Sequence, residues 1–238
     1  RAAGSIGKGL CIQICGYAPE TMILFEKAEI PLYELDIALK QQFPHINIIP
    51  VLGDIQHYND LDDLFQTFSP QIVFHAAAYK HVPMLESHPW KAVENNIVGT
   101  ENVVHAAVTY HCERFVFVST DKAVNPTNVM GASKRVAEMI IQRTSRKKNI
   151  STRFITVRFG NVIGSAGSVI PLFKRQIKQG GPVTVTHSDM TRYFMLISEA
   201  CQLILQAGAM GEGGEIFVLE MGRPIKIDTM ARDLIRFS

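Results

Sequence analysis

Short, nearly unbroken apolar runs alternate along the chain with longer stretches in which apolar positions recur at helical spacing. The runs MILF (22–25), INIIPVL (46–52), QIVFH (71–75), RFVFVS (114–119) and FITVRF (154–159) read as strands. They do not alternate apolar with polar residues. Both faces of each are therefore predicted to be buried, as in parallel sheets. Helices are predicted near 5–16, 30–42, 60–68, 91–111, 127–145, 169–179, 198–208 and 228–237. Asn125 and Pro126 read as the start signals of the helix near 127. Strand–helix alternation of this kind makes βαβ units and an α/β fold with a doubly wound parallel sheet.

After about Gly160 the alternation loosens and glycine and proline rise, as in GSAGSVIP and GGPVT. The expected division is a dinucleotide-binding (Rossmann) domain over 1–160, then a region over 161–238 that completes the sheet and supplies a small substrate cap. The chain opens on RAAGSIGKGL, the second half of a glycine-rich phosphate turn leading into a helix. The strand that should precede this turn is central in a doubly wound sheet. Its absence predicts that the first strand is missing and that the chain is a fragment, truncated at the C-terminal ARDLIRFS as well.

Composition narrows the classes. With 47% apolar and 19% charged residues, the chain is an ordinary globular protein. A net charge of +2 gives no electrostatic case for nucleic acid. No apolar run approaches the ~20 residues of a membrane span. The four cysteines match neither a zinc pattern nor a disulfide framework, so reduced core thiols in a cytoplasmic setting are expected. The eight histidines make no metal motif, and no metal is expected.

Candidate chemistry gathers at the predicted strand ends. Gly4, Ser5, Ile6 and Gly7 open a helix whose N-terminus would face a pyrophosphate. Glu26, nineteen residues after Gly7, is placed to accept from ribose hydroxyls. That favours NAD. Lys27 beside it could pair with a 2′-phosphate, which keeps NADP open. Asp54 and Ile55 end the next run, where an acid could accept from an adenine amino group. Ala76, Ala77 and Ala78 are small enough to let a cofactor pass. STDKAVNPTNVMGASKR (119–135) combines Ser, Thr, Asp and Lys at a strand end with Met130 and Lys134, one helical turn apart. Asp121 and Lys122 read as an acid–base pair. Met130 stands where many nicotinamide enzymes carry a proton-moving Tyr, and a thioether holds no proton.

Through GSIG, VLGDI, VFHAAAYKHVPMLE, NNIVGT, STDKAVNPTNVMGASKR, VRFGNVIGSAGSVIPLF and DMTRYFM, the chain resembles the extended short-chain dehydrogenase/reductase superfamily. More narrowly, it resembles bacterial UDP-N-acetylglucosamine 4,6-dehydratases of capsule and O-antigen biosynthesis. Long, membrane-anchored members share the Met at position 130, so the resemblance implies a parent with N-terminal membrane helices, tethered to the cytoplasmic face of the inner membrane. It also implies a mechanism. NAD(P)⁺ takes hydride from C4 of a UDP-sugar, Asp121 protonates the leaving C6 hydroxyl, Lys122 removes the C5 proton, and hydride returns to C6. Thr120 lies near the C4 oxygen and Lys134 binds the nicotinamide ribose. The resemblance puts Lys80 and Asn96 at the cofactor, and Lys80, His81, Asn161, Ser168, Val169 and Arg192 at the UDP-sugar. It implies a homo-oligomer assembled through the helices near 91–111 and 127–145. Arg1 departs from the family, standing where its first turn glycine would be. A UDP-sugar C4 epimerase or reductase and a catalytically silent nucleotide-binding module are the competing readings.

Overall fold

The computed structural model describes residues 1–165 and 167–238. Strands β1 (Thr21–Glu26) and β2 (Asn47–Leu52) pair in parallel. Strands β3 (Ile72–His75), β4 (Arg114–Val118), β5 (Arg153–Arg158) and β9 (Ile216–Val218) form a second parallel sheet in the order β3-β4-β5-β9. The unbroken apolar runs have a direct cause. On β4, Phe115 and Phe117 enter a core beneath α3 (Tyr58–Phe68) and α6 (Gly99–Thr109), while Val116 enters the core on the other face. That second core is covered by α1 (Ser5–Cys15) and α9 (Ile197–Met210). A strand that feeds two cores has no side that can be polar. Helix α2 (Glu29–Gln42) buries Leu32, Leu35 and Leu39 in a third core against Leu24 and Ile48.

The facing edges of β1 and β3 are not bonded to each other. Between them runs a slot of about 660 Å³ whose lining includes Met22, Ile23, Ile49, Ile72, Val73 and Phe74. All four cysteines are buried free thiols. Burial pushes Cys11 and Cys112 up to about 12 and Cys201 to about 11, so these thiols are protonated at neutral pH. Among the described residues no helix is long and apolar enough to cross a membrane, and no cluster of potential ligands could hold a metal.

Three local features differ from the sequence pattern. The helix expected over 91–111 is α5 (Pro89–Ala92), a π-helical turn (Val93–Val98) and α6 in succession. The helix expected from 127 is α7 (Val129–Ser145), and its start is set by Asn128, whose side chain accepts from Gly131 N at 2.8 Å, rather than by Asn125 and Pro126. A short helix α4 (Val82–Ser87) follows β3 where no element was expected. Beyond Gly160 the chain makes β6 (Asn161–Ile163), α8 (Val169–Lys178), β7 (Thr191–Arg192), β8 (Phe194–Leu196), β10 (Ile225–Lys226) and α10 (Ile227–Arg236). Within this stretch α9 and β9 return to the main sheet, and the small pairs β6-β8 and β7-β10 stand beside it.

Candidate active site

Parallel strands put their carboxyl ends on one edge, and the first group of candidates meets there. Glu26, Lys27, Asp54, Ile55, Ala77 and Ala78 line a single cleft, whereas Ala76 faces the slot between β1 and β3. Gly4 precedes α1 in an extended conformation and adds no side-chain cap, which suits a helix start that meets an anion. Gly7 is required by close approach, since a Cβ there would lie 2.1 Å from the carbonyl oxygen of Arg1. The Arg1 side chain lies across Gly4, and its Nε is 3.8 Å from Glu26. These residues suit a dinucleotide: glycines at the turn, with the acids Glu26 and Asp54 and the small Ala77 and Ala78 along one cleft.

Two residues of this cleft are committed inside the protein. Glu26 is 1% exposed and accepts from Ala3 N, Lys27 N and Ala28 N at 3.1–3.3 Å. Its carboxylate joins the turn before α1 to the end of β1. Lys27 Nζ reaches Tyr79 Oη at 2.8 Å and Asp54 at 3.5 Å. Burial works against this ammonium, but Tyr79 and Asp54 outweigh it and raise the Lys27 pKa above the usual lysine value. An ammonium so engaged is less available to a 2′-phosphate.

Asn96 has a different place from the one expected at the cofactor. It is 1% exposed, donates to Tyr79 O and Ser133 Oγ at 3.0 Å each, and accepts from Tyr79 N at 2.8 Å and Asn95 Nδ2 at 3.0 Å. Two donors and two acceptor positions are thereby used, and the amide has nothing left for a ligand. It fixes the backbone of Tyr79 and joins it to α7. The π-helical turn is what points Asn95 and Asn96 inward, a common use of such turns.

The second group sits at the ends of β4 and β5. Asp121 and Lys122 occupy a 3₁₀ turn, Asp121–Ala123, directly after β4. Lys122 Nζ donates to Asp121 Oδ1 at 2.9 Å, and Thr120 Oγ1 donates to the same oxygen at 3.0 Å. Both charged side chains remain partly exposed. Asn161, expected at the nucleotide, turns its Oδ1 to Lys122 Nζ at 3.4 Å. The first turn of α7 presses against this group, because a Cβ on Gly131 would lie 2.4 Å from Lys122 O.

Lys134 is 5% exposed, donates to Val118 O at 2.7 Å and lies 3.8 Å over the Phe117 ring. Burial lowers its pKa to about 7, and Glu138 opposes the shift. Met130 does not face an open site. It is buried among Leu85, Ala92, Tyr79, Val82 and Val129, where it seats α4 and Tyr79 against α7. Its thioether is a packing group. Met130→Tyr is accordingly expected to overfill this cluster and lower stability by ~1–3 kcal/mol, read as a fall in melting temperature of the purified variant. An unchanged melt would show that the cluster has room for a phenol.

The remaining candidates flank this edge. Partial desolvation and the charge of Arg1 lower the Lys80 pKa. The His81 ring, at the start of α4, packs against Gly167 just before α8. Ser168 precedes α8 and Val169 is its first residue; Ser168 Oγ is buried without a hydrogen-bond partner among the described residues. Arg192 lies on β7, donates to Thr191 O at 2.9 Å and pairs with no carboxylate among the described residues. Sequence reasoning overlooked Tyr79, Glu138 and Arg158. The signal for the last two was a charge inside an apolar strand, VRF, and an acid one turn after Lys134.

The profile of the polysaccharide biosynthesis protein family matches residues 1–238. The chain belongs to that family. It is 51% identical over 238 residues to the capsular polysaccharide biosynthesis protein CapD of Staphylococcus aureus and 50% identical to the probable polysaccharide biosynthesis protein EpsC of Bacillus subtilis. Each alignment takes in 100% of this chain and 40% of the relative, so the chain spans well under half the length of these proteins. Among solved structures, Pen from Bacillus thuringiensis superposes with a TM-score of 0.93 at 36% identity, over 99% of this chain and 72% of that one. DesIV, a dTDP-glucose 4,6-dehydratase from Streptomyces venezuelae with NAD and TYD bound, gives 0.85 at 21% identity, over 99% and 78%. The fold is thus the Rossmann fold shared by such dehydratases, as the strand–helix alternation implied.

Proposed function

We propose that the protein containing this chain is an NAD(P)-dependent nucleotide-sugar 4,6-dehydratase acting on UDP-N-acetylglucosamine for a surface polysaccharide. The observation that carries the reading is the Asp121–Lys122 pair, bonded at 2.9 Å beside Thr120 on the edge that also holds the dinucleotide cleft. A C4 epimerase needs no acid and base set side by side for elimination.

When bound, the cofactor supplies a hydride acceptor for C4 and later a donor for C6. The chain supplies the proton chemistry. Oxidation at C4 makes the C5 hydrogen acidic. Shifting one proton from Lys122 to Asp121 turns the ion pair into an amine and a carboxylic acid. Expulsion of water by a bound sugar lowers the cost of that shift, because a neutral pair loses less hydration than an ion pair. The amine then takes the C5 proton, the acid protonates O6, and water departs. The pair has returned to its ionic form. Lys122 gives its proton back at C5 as hydride reaches C6, and the proton that O4 released to water at the first step restores the pair. Met130, buried and without a proton, takes no part; Thr120, bonded to Asp121, offers a hydroxyl beside the pair to relay the O4 proton.

Glu26 at the ribose end and the engagement of Lys27 by Tyr79 and Asp54 favour NAD over NADP. The exposed apolar side chains Val98 on the π-helical turn and Val136 and Met139 on α7 suit burial in a homo-oligomer. The test is incubation of the full-length protein with NAD and UDP-N-acetylglucosamine. Loss of one water from the sugar nucleotide, seen by mass spectrometry, is expected. An unchanged substrate mass with folded, cofactor-loaded protein would sink the reading.

A further inference from the structure

Glu138 has no role in the proton transfers above, yet it is fully buried at the heart of the site. It accepts from Ser119 Oγ at 2.6 Å, from Arg158 Nε at 2.7 Å, from Arg158 through a second nitrogen, and from Arg135 at 3.0 Å. Ser119 is the residue before Thr120, and Arg158 ends β5. The carboxylate therefore ties the ends of two neighbouring strands to one helix. Those ends carry Asp121 and Asn161, and the two strands are joined again by Asp121 N on Phe159 O at 3.0 Å. Glu138 also lies one helical turn after Lys134, whose ammonium is held on Val118 O. Helix α7 thus grips the end of β4 at two successive residues, Val118 and Ser119, through Lys134 and Glu138.

A buried acid with three charged or polar donors has a bland explanation as a strut. Two observations go beyond it. A strut between Ser119 and Arg158 needs only polarity, whereas this carboxylate stands one turn from a buried ammonium that has no ion-pair partner among the described residues. The titratable groups that interact with Lys134 are Glu138 from its own helix and His75 from β3, whose ring stacks on the Phe117 ring that Lys134 lies over. His75 is held neutral by burial, with the Lys134 charge adding to the effect. Asp121 is paired to Lys122. Glu138 is the one fully buried acid in the set. Burial pushes its pKa up, but Arg158, Ser119 and Arg135 together hold it below the usual carboxylate range, so it is charged throughout the neutral region.

We propose that Glu138 is a positioning residue for the dehydration: it fixes the Ser119–Lys122 turn through Ser119 and Arg158, and its buried negative charge favours the ammonium form of Lys134 over the amine. The catalytic half of this proposal rests on the dehydratase reading; the electrostatic half does not. Arg135, at the half-exposed end of the network, offsets part of the Glu138 charge. The two side chains must therefore move Lys134 in opposite directions.

The test reads Lys134 directly. In the full-length protein without substrate, its titration is followed by carbon NMR of the labelled lysine Cε, with Lys134→Met to assign the signal. Glu138→Gln is expected to lower the titration midpoint by about one unit or more, and Arg135→Met to raise it by a smaller amount. Dehydration by Glu138→Gln is expected to fall ~10–100-fold in kcat with KM nearly unchanged, because the turn is displaced rather than the sugar contacts. Its pH profile should move with the Lys134 midpoint, which loss of a strut alone would not produce. Arg135→Met keeps the buried carboxylate and its bonds to β4 and β5, so it serves if Glu138→Gln does not fold. An unmoved midpoint in Glu138→Gln, or a midpoint that falls in Arg135→Met, would overturn the proposal. Absence of dehydration by the unaltered protein would instead overturn the functional reading and leave the titration result standing.

Discussion

Asp121→Asn and Lys122→Ala are each expected to lower dehydration by about 10²–10⁴-fold, the range of a positioned general acid or base. The geometry sets both the size and the character of the loss. The two groups share a single 2.9 Å bond, and Thr120 donates to the same carboxylate oxygen. Asparagine keeps the shape of that corner but cannot carry the proton O6 needs. Alanine at 122 removes the amine that takes the C5 proton and leaves Asp121 with no cation. Neither change touches the dinucleotide cleft, so NAD binding should stay within a few-fold of the unaltered protein. Both variants should still oxidise C4 and then stall. Rapid mixing of either with UDP-N-acetylglucosamine should show reduced cofactor accumulating while the sugar loses no water. Near-normal turnover in both would remove the pair from the mechanism. Failure of the oxidation step itself would assign the pair to the C4 proton instead of to elimination.

The contrast with Met130 shows how far the sequence could be read. The β4 and β5 runs were legible because each strand buries both faces, and a run with no polar side has few other uses. The cluster STDK could be placed at a strand end for the same reason. What each neighbour does there was not legible. A Met four residues before Lys134 occupies the position of a proton carrier, and only its packing against Leu85 and Ala92 shows a core residue. Asn96 looked like a ligand contact in NNIVGT, but the π-helical turn that points it at Tyr79 leaves the 3.6-residue pattern almost untouched. Glu138 sits in a helix where an acid is normally solvated, and nothing in SKRVAEM says that Arg158 arrives from another strand. The elements after Gly160 include strands of two or three residues, too short to show any period. Side chains whose role depends on a partner far along the chain are the ones a single sequence conceals.

The cost of keeping Lys134 in this place leads to the second large effect. Lys134→Met is expected to abolish most activity and at the same time to stabilise the protein. Burial holds the folded-state pKa at about 7, against about 10.4 for an unfolded lysine. Between those values the unfolded chain binds a proton that the folded chain does not. Stability linked to this residue is therefore complete above pH ~10.4 and is lost as pH falls towards 7, by about 1.4 kcal/mol per unit, or ~4–5 kcal/mol over the window. Below pH 7 both states are protonated and the loss grows no further. Methionine escapes this cost and fills a similar volume on the Phe117 ring, but Val118 O loses its donor, which returns ~1–2 kcal/mol. The net expectation at pH 7 is a gain of ~2–4 kcal/mol, or several degrees in melting temperature for a chain of this size. The gain should shrink steadily as the pH is raised towards 10, because the unaltered protein recovers the linked stability there. On the acid side His75 takes over in both proteins, since its folded pKa is held well below 6.5 by burial and stability falls as the unfolded imidazole protonates. Melting curves of the two proteins at several pH values decide the matter. A Lys134→Met protein that melts lower than its parent at pH 7, or a difference that does not narrow with rising pH, would mean that the ammonium in this pocket is stabilised by its surroundings and that the fold makes no sacrifice to hold it there.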